Sequence, residues 1–340
     1  MKYLHLFENE LDFNAEYKGS NYIEPWVSLT KSVERVDYNK PYDPYLHIPF
    51  TIEALDSGNI SWALDDKTVQ YSKNGGSWET MDNKTTISVV EGDGVQFKGT
   101  NTDYNYCTIS TTMQFNVKGN IMSLTDGDEF ETADAVNANG FNSLFYGCSY
   151  LVSAGDLKLP ATTLANRCYL KMFQGCTSLT KAPELPATTL TEDCYNDMFQ
   201  GCPSLTKAPE LPATTLAAGC CYSMFAGCTS LTTAPKKLPA TTLTEDCYSL
   251  MFDDCASLTK APELPATTLA ENCYNCMFQG CTSLNYIKAM FTTVPSTTYT
   301  DNWVNGVAST GTFVKNAAAT WTTTGSNAVP SGWTIQTASE

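Results

Sequence analysis

Thr191 to Cys202 reads TEDCYNDMFQGC, and how this dozen residues folds decides the class of most of the chain. At 100° per residue, Cys194, Tyr195, Met198, Phe199 and Cys202 gather on one side, and Asp193, Asn196, Asp197 and Gln200 lie opposite. The spacing therefore predicts an amphipathic helix. Thr189 with Glu192 has the spacing of a capping box, and Thr242 with Glu245 and Thr268 with Glu271 repeat it. Between one such stretch and the next, Leu179 to Ala182 suits a short strand. Pro183 should end it, because proline has no N–H to give to a ladder.

The same text recurs. LPATTL begins at Leu159, Leu185, Leu211, Leu238 and Leu264, in steps of 26, 26, 27 and 26. A second marker, FYGC, FQGC, FQGC, FAGC, FDDC and FQGC, ends at Cys148, Cys176, Cys202, Cys228, Cys255 and Cys281. Two markers keeping one beat define a structural repeat. A unit of this size buries its apolar face only by stacking on its neighbours.

The core of the unit stands as MFQGCTSL at Met172, MFQGCPSL at Met198, MFAGCTSL at Met224 and MFQGCTSL at Met277, with MFDDCASL at Met251 departing from it. Over about 141–290 this resembles leucine-rich repeats of the BspA surface-protein type and the 26-residue repeat of bacterial surface proteins. The resemblance implies an α/β leucine-rich-repeat solenoid of strand–helix units over 141–284. It also implies surface exposure and adhesion, and it supplies no catalytic residues.

Ahead of the repeats, 48–120 alternates apolar and polar residues, as in Ile48-Pro-Phe-Thr-Ile, Thr86-Ile-Ser-Val-Val and Val95-Gln-Phe-Lys, with turn signals at Asn74-Gly75-Gly76 and Glu91-Gly92-Asp93-Gly94. This predicts a small antiparallel β domain, read by fold-level analogy as an immunoglobulin-like sandwich. A connector, 121–140, follows. Residues 1–47 are Tyr-rich and Pro-punctuated and read either as an extended anchoring arm or as an extra strand and loop of the β domain. Their Glu24-Pro-Trp-Val-Ser28 segment resembles the start of structural proteins in tailed phages of gut anaerobes, which makes Tyr22, Glu24, Pro25 and Trp26 candidate docking residues. At the other end, 285–340 drops the repeat and should cap the stack, its Trp303, Trp321 and Trp333 serving as core or as a sugar-stacking platform.

The formal charge of −16 disfavours nucleic acid and anionic membrane as partners. Met1 to Glu10 lacks the apolar core of a signal peptide, and no stretch approaches the ~18 apolar residues of a membrane span, so the expectation is a chain without membrane insertion or an export address. Of 14 cysteines, Cys194 and Cys202 would lie ~12 Å apart on a helix, too far for a disulfide. They read as small buried apolar residues. Cys220 with Cys221 and Cys273 with Cys276 hold the remaining redox or metal possibility, without the further ligands zinc needs. Asp126-Gly-Asp128-Glu129 lacks EF-hand spacing and reads as a solvated acidic turn. His5 and His47 are the only histidines, and no nucleophile elbow, phosphate loop or metalloprotease helix occurs. No cofactor, metal or catalytic residue is expected.

What remains is surface. Lys181, Lys207 and Lys260 share one repeat position with Ser153 and Thr233, and Glu184, Glu210 and Glu263 share another with Asp156. These rows are either a ligand-binding face or charge kept for solubility and cross-strand pairing. The functional expectation is a non-enzymatic, fibre-like virion protein of a tailed phage. Its N-terminal region would meet other virion proteins, and its repeats would be displayed on the virion surface toward a host glycan or protein, in a homo-oligomer. The alternative is a bacterial cell-surface adhesin.

Overall fold

Alternation builds the first part of the chain as expected of half-buried strands. The structure, a computed structural model, describes residues 43–338. Eight strands, β1 (Thr51–Ala54), β2 (Gly58–Ala63), β3 (Val69–Lys73), β4 (Glu79–Met81), β5 (Thr86–Val89), β6 (Gly94–Lys98), β7 (Thr108–Thr111) and β8 (Phe115–Asn120), precede a ninth, β9 (Leu151–Lys158), in the first repeat. They form a six-stranded sheet, β4-β3-β6-β1-β8-β9, and a three-stranded sheet, β5-β2-β7. Trp62 of the small sheet meets Phe97 of the large one edge to face at 5.5 Å, which places the core between the sheets. Ser123 ties the large sheet to the chain that follows: its Oγ accepts from the Phe50 N–H and donates to the Phe97 carbonyl. Gly119 is required, since it has φ +84° and a Cβ there would stand 2.3 Å from the Pro49 carbonyl oxygen.

The expected immunoglobulin-like sandwich is corrected by β9. That strand pairs parallel to β8, so the large sheet runs into the repeats instead of closing as an antiparallel sandwich.

The larger correction concerns the repeats. Helix among the described residues is confined to α1 (Ser123–Asp126) and 3-10 segments at Pro44–His47 and Gly127–Thr132, all outside the repeats. The α/β leucine-rich-repeat solenoid of strand–helix units is therefore not the fold. Thr191 to Cys202 is a ribbon of overlapping turns, each advanced by two residues. Cys194, Asn196, Met198 and Gln200 donate their N–H groups three residues back, to Thr191, Asp193, Tyr195 and Asp197. The alternate residues Asp193, Tyr195, Asp197, Phe199 and Gly201 donate to the next repeat, at Ala218, Cys220, Tyr222, Met224 and Ala226. Every second turn carries a positive φ at its third residue, at Asp193, Asp197 and Gly201 (53°, 54° and 67°), the geometry of a type II turn. Main-chain donors are thus satisfied without a helix. The burial pattern has period four: Cys194 and Tyr195, then Met198 and Phe199, then Cys202 are buried, and the pairs between them are more open.

Spacing explains why a helix cannot serve. Phe145, Phe173, Phe199, Phe225, Phe252 and Phe278 stack ring on ring at 5.2, 5.3, 5.5, 5.5 and 5.7 Å. Neighbouring α-helices lie about 8–10 Å apart, whereas hydrogen-bonded strands lie about 4.8 Å apart. Only the closer spacing brings one phenylalanine per repeat into contact with the next, each burial contributing on the order of 1.5–3 kcal/mol. A second column runs Tyr104, Phe141, Tyr169, Tyr195 at 6.2, 5.8 and 6.0 Å, gives way to Cys221, and resumes at Tyr248 and Tyr274.

The other two legs of each coil are extended. The LPATTL leg meets its neighbours at single bridges, Thr189 to Thr215 and Thr242 to Thr268. Thr189 and Thr242 therefore sit in a ladder and cap no helix. The leg containing Lys181 also makes only a bridge, to Ser153, in the coil where a strand over Leu179 to Ala182 was expected. Parallel sheet forms on this leg at the two ends of the stack, where β9 joins β8 and, later, through β10 (Lys260–Leu264), β11 (Tyr286–Ala289), β12 (Thr312–Lys315) and β13 (Thr334–Thr337). Pro262 lies inside β10 and does not end it. The register slips between Lys260 and Glu263 instead, which removes the need for its missing N–H.

Past residue 285 the sequence loses its repeat while the backbone keeps it. Phe278 and Gly280 donate to Trp303 and Asn305, and Asn302 and Gly306 hold positive φ in the expected phase. Trp303 packs on both Tyr274 and Phe278, closing both ring columns. Trp303, Trp321 and Trp333 are all buried, and the indole N–H groups of Trp303 and Trp333 donate to the Ala328 and Ala308 carbonyls. They are core, and the sugar-platform reading is withdrawn.

Candidate functional site

The coil geometry gives every repeat position a fixed place, so side chains 26 residues apart form columns. The lysine and glutamate columns fall on the extended leg. Lys181, Lys207 and Lys260 are exposed and stand beside Ser153, Thr233 and Tyr286 respectively. The Lys260 ammonium lies 5.1 Å from the Tyr286 ring centroid. Glu184 is exposed, the Glu210 carboxylate accepts the Lys236 main-chain N–H at 3.0 Å, and Glu263 pairs with Lys288 at 3.3 Å. Neither column is continuous, because Thr233 interrupts the lysines and Lys236 interrupts the glutamates. The candidate docking residues Tyr22, Glu24, Pro25 and Trp26 lie outside the described residues.

A different face, not singled out by the sequence reading, carries a groove. Gly147, Gly175, Gly201 and Gly227 lie at the last positive-φ position of successive ribbons, with φ from 67° to 74°. They line a cleft of about 440 Å³ with Tyr146, Gln174, Gln200, Ala226 and Asp253. Its floor is backbone: a Cβ built on Gly175 would lie 3.6 Å from the Gly147 Cα, and one on Gly227 would lie 3.7 Å from the Gly201 Cα. Four coils at ladder spacing give it a length of about 14 Å. Gln174 and Gln200 are hydrogen-bonded to each other along one wall, and Gln279 donates to Asp253 at 3.3 Å further along. Burial and the neighbouring Asp254 carboxylate push the Asp253 carboxyl up to about 6, while the Gln279 hydrogen bond works the other way. Tyr146, 51% exposed, stands at one end. An aromatic face, an amide row and a flat floor suit an extended, polar, uncharged ligand. The signal that would have revealed the groove was in the sequence, as the Gly of each Phe-x-Gly-Cys marker.

All 14 cysteines are free, and all but Cys276 are buried. Cys148, Cys176, Cys202, Cys228, Cys255 and Cys281 have a common role. Each Sγ donates to a carbonyl one layer earlier, those of Ile109, Phe145, Phe173, Phe199, Phe225 and Phe252, at 3.0–3.2 Å. Burial pushes the Cys148 and Cys228 thiols up to about 12, so these groups are donors and not nucleophiles. Near the acidic turn, Asp128 pairs with Lys98 at 2.7 Å, and Asp126 accepts from Thr125. Among the described residues no cluster of three metal-ligating side chains occurs, and no helix is long and apolar enough to cross a membrane.

Comparison with protein-family models, curated proteins and solved structures found no match to this chain.

Proposed function

We propose that the chain is a non-enzymatic display protein of a tailed-phage particle, with its N-terminal region docked among other virion proteins and its stacked coils presented to a host-surface ligand. The observation that supports display is the groove across Gly147, Gly175, Gly201 and Gly227, where one repeated position builds a registered face on a rigid stack. Repeated coils characteristically bind through such extended faces. Assignment to a phage particle draws on the Glu24-Pro-Trp-Val-Ser28 segment. The Met-Phe-x-Gly-Cys core, which resembles the repeat of bacterial surface proteins, favours an adhesin as the second reading. Quantitative mass spectrometry of purified particles, alongside washed envelopes of the host, separates the two. Stoichiometric recovery with the particle is expected, and recovery from the envelope alone would replace the phage reading with the adhesin.

A further inference from the structure

One repeat step is 27 residues long where the others are 26, and the extra residue changes the local charge. Between Leu211 and Leu238, the segment Ala-Pro-Glu of the other units becomes Ala234-Pro-Lys-Lys237, so Lys236 stands in the glutamate column and Lys237 is added beside it. The backbone absorbs the insertion without losing the ladder. Glu263 N–H donates to the Lys236 carbonyl, Leu238 N–H donates to the Glu263 carbonyl, and Lys237 bridges Glu263.

The result is a cleft of about 560 Å³, on the extended leg and separate from the glycine groove, lined by Thr232, Thr233, Lys236, Lys237, Lys260 and Glu263 together with small apolar residues. Among the described residues, none of the three ammonium groups has a carboxylate within ion-pair distance, although the chain carries 36 acids against 20 bases. The one acid in the cleft, Glu263, is engaged by Lys288 from outside it. The Thr232 hydroxyl donates to the Thr206 carbonyl at 3.1 Å, which leaves the Thr233 hydroxyl as the neutral donor beside the cations. Three lysines are too few to hold a polyanion, and the flanking coils present Glu184, Glu210 and a strongly acidic chain that would repel one.

We propose that this cleft binds a single oxyanion group, of the sulfate or phosphate-monoester kind, whether free or carried on a small sugar. Charge attraction brings the group in, and the Thr233 hydroxyl orients it. Because the lysines are exposed, binding weakens as salt screens them.

The test is calorimetric titration of the full chain with sodium sulfate, sodium phosphate and glucose 6-sulfate at 20 mM and 150 mM sodium chloride. Saturable one-to-one binding is expected, weaker at the higher salt. A loss of about 3- to 10-fold is expected for Lys236→Gln, Lys237→Gln or Lys260→Gln, with unchanged melting curves, and no change for Lys181→Gln two coils away. Deleting Lys237, which restores the 26-residue step, should also weaken binding. Equal affinity for sulfate and glucose 6-sulfate identifies the oxyanion itself as the ligand, and tighter binding of the sugar ester identifies a carried group. Absence of saturable binding at 20 mM salt, an equal loss in Lys181→Gln, or tighter binding of a 20-nucleotide single-stranded DNA than of sulfate would overturn the proposal.

Discussion

At the scale of single residues, the buried thiols have the clearest consequence. A cysteine in the column ending at Cys281 must keep its proton to donate to the carbonyl beside it, and burial pushes Cys148, Cys168 and Cys228 up to about 12 and Cys273 up to about 11. In the unfolded chain these thiols ionise near their ordinary value of about 8.5. Above that pH the unfolded state binds fewer protons than the folded one, so stability falls as pH rises, by up to about 1.4 kcal/mol per thiol per pH unit. Thermal melts under reducing conditions should therefore hold steady from pH 7 to 8 and drop steeply between pH 9 and 11. A flat profile would mean that the column is hydrated. Asp253 behaves in the same sense at lower pH. Its folded carboxyl is raised to about 6, so its ionised form destabilises the fold at pH 7, and the penalty fades as pH falls through 6 toward 4. Asp253→Gln, matching Gln174, Gln200 and Gln279 in the same column, should stabilise the protein by about 1 kcal/mol at pH 7 after allowance for solvent screening, and by nothing at pH 4. Paired melts at the two pH values check this.

At the scale of the element, the turn ribbon shows what the sequence reading could and could not see. The period of the repeat, its buried faces and its need to stack were legible, because each followed from where apolar residues recur. The element type was not. From Cys194 to Cys202 a period of four and one of 3.6 diverge by only about 80°, which is within the width of one apolar helix face. The Thr189 and Glu192 spacing reinforced the error, since Thr189 bridges Thr215 while the Glu192 carbonyl accepts from Arg167. A better indicator was available in the residues that tolerate a left-handed backbone, which recur every fourth position as Asp193, Asp197, Gly201 and as Asn139, Ser143, Gly147. Arg167, Lys171, Cys276 and Leu250 break that rule, Leu250 at φ 57°. Leu250→Asn should relieve strain and stabilise the fold by about 1 kcal/mol, and Asp197→Val should cost about 1–2 kcal/mol. Urea midpoints compare the two directly. The candidate groove went unread for a related reason: its glycines look like helix ends until the ribbon places them in a column.

At the scale of the whole described chain, the coils behave as a one-dimensional array in which each touches only its neighbours. Removing residues 185–210 joins Glu184 to Leu211, preserves every column and stacks Phe173 on Phe225. That variant should remain folded, with a melting temperature within a few degrees of the parent, whereas removing residues 185–197 alone should abolish cooperative melting. The ribbon ladder adds a property that neither residues nor turns possess singly. All its inter-coil N–H groups point from the earlier coil to the later one, so their dipoles sum along the stack, with the negative pole toward the β sheets. Each pole is matched by non-repeat structure: Tyr104 and Ile109 donate into the first ribbon at Gly140 and Leu144, and Ser326 accepts from Val304 beyond the last. The array is therefore electrically one-way. Two copies meeting early end to early end would set acceptor against acceptor, so any lengthening of this stack, in evolution or by design, has to proceed head to tail.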